Sequence, residues 1–128
     1  MRLLGIDYGA KRIGIALSDE DAGFAIPSIV LENSKNIAKE IYDLAKKNGV
    51  KEIVMGESKN YKGKANSILP KSLELRKELE NRGFKVHLEP EFMTSINAKR
   101  FQGKNDMLDA SAAALILQSY LDRRKNAN

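Results

Sequence analysis

The sequence predicts an α/β sandwich built on a mixed central sheet. Three observations carry that expectation. Two short apolar runs, "RLLGIDY" at 2–8 and "RIGIALS" at 12–18, flank a Gly-containing turn and read as an antiparallel hairpin. Strand-like and helix-like segments then alternate, which implies parallel strands joined by crossover helices. The chain has 128 residues, 42% hydrophobic and 30% charged, which suits one globular core and is too apolar for a disordered chain. Residues 1–124 are expected to form a single domain, with 125–128 as a polar tail.

The elements follow in order. "FAIPSIVL" at 24–31 extends the hairpin into a meander, and Pro27 places that strand at an edge or marks an irregularity in it. Asn33 or Ser34 can cap a helix whose apolar stripe is Ile37, Ile41, Leu44 and Ala45, closed by Gly49. "VKEIVMG" at 50–56 reads as a buried strand, and the polar, basic stretch 57–66 as a loop. A second helix starts near Asn66 or Ser67, with Pro70 in its first turn, where no amide donor is needed, and ends at Arg82-Gly83. "FKVHLE" at 84–89 is a strand. A short helix at 94–101 and a long one from Met107 to about Arg123 complete the order βββαβαβαα.

Composition narrows the chemistry. There is no cysteine, which excludes a disulfide scaffold, a zinc ribbon and a thiol nucleophile, and fits a reducing compartment. No leader pattern precedes the first apolar run, and no apolar stretch approaches the roughly 20 residues of a membrane span. A cytoplasmic protein without a membrane partner is expected. The net charge of +5 favours a polyanionic partner, although a lysine-rich soluble surface has the same composition. His87 is the one histidine, and it alternates with Val86 and Leu88, so it faces the other side of its strand as a structural residue. Carboxylates are the better candidates for chemistry.

Asp7 ends an apolar strand, where a charge is costly unless it is paired or holds a metal. Glu89 and Glu91 lie at or just past the end of a later strand, and Asp106 and Asp109 open the last helix. Ligands of open α/β sheets gather outside the carboxyl ends of the strands, so these distant acids can share one edge. Asp106 and Asp109 are three residues apart and head a helical face that continues through Ala112, Ala113, Ile116 and Tyr120. Converging carboxylates repel one another unless a hard divalent cation joins them, which suits Mg²⁺ or Mn²⁺. Each acid also has a plain structural reading. Asp106 can be a helix cap, Asp109 a partner of the helix dipole, and Glu91 a loop acid.

Four blocks, "LLGIDYGAKRIGIALSD", "IVMGESKNYKGKAN", "EFMTSINAKR" and "LDASAAALILQSYLD", together resemble the YqgF/RuvX family of bacterial proteins. They keep the family's order and spread over nearly the whole chain, the first and last being the most specific. The resemblance implies a ribonuclease H-like fold related to the RuvC Holliday-junction resolvases. It implies a divalent-metal nuclease that matures the 5′ end of the small-subunit ribosomal RNA precursor. The family's strand-one aspartate, later glutamate and helix-opening aspartate fall on Asp7, Glu91 and Asp109. Its Gly-x-x-x-Asn-x-x-Gly loop falls on Gly56, Asn60 and Gly63, and its Thr/Ser pair on Thr94 and Ser95. Where the family has Asp-Glu-Arg-Leu, this chain has "PEFM", so Pro90 replaces an aspartate and Phe92 an arginine.

On this reading Asp7, Glu91 and Asp109 are catalytic metal ligands, with Asp106 as an outer one. Lys11, Arg12, Lys59, Asn60, Lys62, Lys64, Thr94 and Arg100 line a track for RNA phosphates, and Tyr61 either stacks on an unpaired base or packs on its own domain. Each lysine taken singly also reads as a solvated surface residue. The expected partner is the ribosomal RNA precursor, free or in a ribosomal particle, and the expected state is a monomer or weak homodimer. Three rivals share the opening motif or the acids. An actin-like or sugar-kinase ATPase needs a second lobe that 128 residues do not supply. A non-catalytic RNA-binding module and a junction-cutting DNA nuclease fit the same fold.

Overall fold

The computed structural model describes residues 1–57, 69–90 and 106–126, with backbone only for 69, 70 and 106–108. Five strands make one sheet: β1 (Arg2–Tyr8), β2 (Arg12–Ser18), β3 (Ala25–Glu32), β4 (Val50–Glu57) and β5 (Lys85–Pro90). Three helices lie among the described residues: α1 (Ile37–Lys47), α2 (Leu69–Asn81) and α3 (Asp106–Asn126). The spatial order is β3-β2-β1-β4-β5. β1, β2 and β3 pair antiparallel, while β1–β4 and β4–β5 pair parallel. The mixed sheet expected from the hairpin and the later alternation is therefore present. The helix expected at 94–101 and the loop residues after Glu57 lie outside the described residues.

Alternation along the central strands sorts side chains to two faces. Leu4, Ile6 and Tyr8 of β1 join Ile13 and Ile15 of β2 beneath α1 and α2, in a core with Ile41, Ile53, Met55, Leu79 and Phe84. Leu3 of β1, Ala16 of β2 and Val54 of β4 meet Ala113, Leu117 and Leu121 of α3 on the opposite face. Burial of each large aliphatic chain contributes about 1.5–3 kcal/mol, so the first, larger cluster carries most of the hydrophobic stabilisation. The second face is built from smaller residues, and that lets a helix backbone come close to the strands.

Two glycines set that approach. A β-carbon on Gly5 would sit 2.8 Å from Leu117 Cβ and 2.9 Å from the Ala113 carbonyl oxygen. A β-carbon on Gly14 would sit 2.0 Å from the Asp109 carbonyl oxygen. Neither position has room for a side chain, so α3 lies directly on β1 and β2.

β3 is an edge strand. Its register slips opposite Ile15 and Ala16, which pair with Ile29 and Pro27, so both alternatives offered for Pro27 hold together. Gln118 of α3 ties down the start of this strand by accepting the Ala25 amide at 2.8 Å.

The N-terminus of α1 differs from expectation. Asn36 holds the cap position without a side-chain bond, and neither Asn33 nor Ser34 caps the helix. Asn33 Nδ2 instead donates to the Gly9 carbonyl at 2.9 Å, and its amide donates to the Lys11 carbonyl at 2.9 Å. A tie to the β1–β2 turn has displaced a local cap. At the other end, α3 runs to Asn126, so residues 125 and 126 continue the helix. Among the described residues no helix is long and apolar enough to cross a membrane.

Candidate active site

Asp7 is the penultimate residue of β1 and is 2% exposed. Its register partner on β2 is Gly14. Asp109, the fourth residue of α3, is 6% exposed and presses its backbone against that same glycine. Two acids a hundred residues apart in sequence thus flank one strand position. The missing β-carbon at Gly14 is what admits the first turns of α3 beside Asp7.

Arg12 stands two residues before Gly14 on β2 and therefore points to the same face. Its Nε lies 3.1 Å from Asp109 Oδ2. Lys11 is exposed in the turn next to it. Of the residues expected to line a phosphate track, Arg12 reaches the Asp109 carboxylate and Lys11 precedes it in the turn. Lys59, Asn60, Lys62, Lys64, Thr94 and Arg100 lie outside the described residues, as do Glu91 and the side chain of Asp106.

Among the described residues no three Asp, Glu or His side chains gather closely enough to hold a metal ion. The pair that is described fits one in kind. Asp7 and Asp109 offer hard oxygen donors from a central strand and a docked helix, mounts rigid enough for metal ligands.

Sequence reasoning noticed Glu89 but gave it no role. It is 2% exposed on the α3 side of β5. Ser119 Oγ donates to its Oε2 at 2.8 Å, and the Arg123 guanidinium pairs with its Oε1. This carboxylate is committed to α3 and locks the end of β5 to that helix. The available signal was the alternation of Lys85, His87 and Glu89 on one face. His87 shares that face: its Nε2 lies 2.7 Å from Glu52 Oε1 and its ring packs 4.8 Å from that of Tyr120. Burial there pushes the Tyr120 phenol above its ordinary value.

Comparison with known proteins gives the family. A family model described as RuvX, Holliday junction resolvase, matches residues 1–123. The chain belongs to the RuvX family. A RuvX relative from Caldanaerobacter subterraneus subsp. tengcongensis is 34% identical, covering 99% of this chain and all of that protein. One from Moorella thermoacetica is 31% identical over 96% of each chain. Both are provisionally named pre-16S rRNA nuclease. Among solved structures, Thermus thermophilus RuvC in complex with a Holliday junction superposes with a TM-score of 0.63 at 13% identity, covering 98% of this chain and 96% of that one. The fowlpox virus Holliday junction resolvase gives 0.58 at 14% identity, covering 96% and 99%. At those identities the likeness is one of fold, and it makes the RuvX sheet described above ribonuclease H-like.

Proposed function

We propose that this chain is a divalent-metal-dependent nuclease that hydrolyses phosphodiester bonds in maturing the 5′ end of the small-subunit ribosomal RNA precursor. The observation that carries the reading is the convergence of Asp7 and Asp109, both buried, on either side of Gly14. Two buried acids at the carboxyl edge of a sheet, beside a cationic turn, suit hard cations and a phosphate. Asp7, Glu91 and Asp109 would hold Mg²⁺ or Mn²⁺, with Asp106 as an outer ligand. Such ions supply a nucleophilic water at neutral pH and stabilise the leaving oxygen.

The chain's own residues do the rest. β1 fixes Asp7, and Asn33 braces the turn that carries Lys11 and Arg12 toward the phosphates. Lys59, Asn60, Lys62, Lys64, Thr94 and Arg100, which lie outside the described residues, would contribute further contacts to the RNA strand. The names of the full-length relatives support the RNA precursor as substrate, free or within a ribosomal particle. The protein works in the cytoplasm as a monomer or weak homodimer.

Asp7→Asn keeps the shape of the side chain and removes its charge. Mg²⁺- or Mn²⁺-dependent cleavage of a precursor fragment is expected to fall by at least about 100-fold, the scale of loss when the support of a metal site is removed. Undiminished cleavage by a folded Asp7→Asn protein would overturn the metal role. The family description favours a second substrate, a four-way DNA junction. Running that junction beside the RNA decides between them, and preferential junction cleavage would replace the RNA reading.

A further inference from the structure

We infer that Arg12 is an exchangeable counter-ion: it holds Asp109 until a divalent cation takes the same carboxylate, and the released guanidinium then grips a phosphate of the bound strand. The inference rests on the metal-nuclease reading above and adds a step to it. Arg12 Nε lies 3.1 Å from Asp109 Oδ2. A cation bound at that carboxylate and the guanidinium seek the same charge.

The contact is lopsided. The Asp109 side chain is 8% exposed and the Arg12 side chain 34%. The buried partner is held by the docking of α3 on Gly14, so the arginine is the partner nearer to solvent. The backbone below Arg12 is anchored, because the Asn33 amide and side chain bond the Lys11 and Gly9 carbonyls. Movement is therefore confined to the side chain, and the guanidinium stays within one side-chain length of the acids. Partly exposed ion pairs are weak, whereas a doubly charged ion is held more strongly at the same oxygen. Arginine is also the side chain best matched to phosphate once freed. By linkage, cation and RNA then reinforce each other's binding.

The test begins with calorimetric titration of Mn²⁺ into the full-length wild type, Arg12→Gln and Asp109→Asn, without RNA. Arg12→Gln is expected to bind Mn²⁺ about two- to fivefold more tightly, the range released by removing a partly exposed pair. Asp109→Asn is expected to bind it more weakly. In Ca²⁺, the log–log salt dependence of single-stranded RNA binding is expected to be steeper for the wild type than for Arg12→Gln by about 0.7, one phosphate contact. Without a divalent cation the two slopes coincide. A measurement on the wild type alone guards against a poorly folded variant: the Arg12 Hε resonance is expected to exchange faster with water as Mg²⁺ is added. Unchanged or weaker Mn²⁺ binding by folded Arg12→Gln, with binding lost in Asp109→Asn, overturns the exchange and leaves the metal reading standing. Mn²⁺ binding by none of the three proteins overturns both.

Discussion

Gly14 is where a single hydrogen atom decides the site. An alanine there would place its β-carbon 2.0 Å from the Asp109 carbonyl oxygen, a backbone atom that can move only with α3. Gly14→Ala is expected to cost about 1–3 kcal/mol in urea denaturation, the range for overpacking, and to weaken Mn²⁺ binding by displacing Asp109. Glu89 and Arg123 form a pair of unequal burial, 2% against 58% side-chain exposure. Arg123→Ala leaves a buried carboxylate with Ser119 as its remaining described partner and is expected to cost about 1–3 kcal/mol. Glu89→Gln keeps an acceptor for Ser119 without the charge and is expected to cost less. Adding Arg123→Ala to Glu89→Gln should then change the urea midpoint little, and a large further loss would show that Arg123 stabilises the fold in another way. Asp7 and Asp109 were legible as candidates because acids interrupt apolar patterns there. The role of Glu89 was not, since Arg123 lies 34 residues away and only packing brings the two together.

At the scale of elements, local rules performed best where neighbours in sequence are neighbours in space. The hairpin strands read as 2–8 and 12–18 are Arg2–Tyr8 and Arg12–Ser18 in the structure. Asn33 does not cap α1 because it is drawn to the turn at Gly9, a competition invisible in the local pattern, while Ser34 Oγ accepts the Asn36 amide just ahead of the helix. The β2–β3 connection depends on Asp19, whose Oδ1 accepts the Gly23 amide at 2.8 Å and the Phe24 amide at 3.0 Å. Those bonds, Phe24 foremost, hold its carboxyl below the ordinary 3.8. A lowered folded pKa stabilises the protein above 3.8, and that stabilisation disappears as pH falls through the folded value. The melting-temperature advantage of wild type over Asp19→Ala is therefore expected to be constant near neutrality and to shrink in acid. β3 exposes Ile26 and Ile29 along an edge, with exposed Phe24 just before the strand, and Pro27 with its register slip interrupts the regular ladder there. Pro27→Val is expected to raise self-association in sedimentation velocity, because it restores a donor to an apolar edge.

For the whole molecule, the charge of +5 and the exposed Lys11 lead to the expectation that the proposed RNA binding is sensitive to salt. Affinity is expected to fall linearly on a log–log plot, by about 0.7 for each phosphate contacted on a single strand. A flat plot from filter binding would place recognition elsewhere than on the phosphates. The fold class was legible because strand and helix periods alternate cleanly. The closeness of α3 to β2 was not, because a glycine within a strand pattern does not announce which backbone will lie against it. That closeness has a consequence in time. Asp7 belongs to β1 and Asp109 to α3, far later in the sequence, and α3 is held over β1 by Ala113 and Leu117. The acids therefore meet only after both β1 and α3 have been synthesised. A nascent chain can form the hairpin before α3 exists, so the carboxylate pair assembles only when that helix docks.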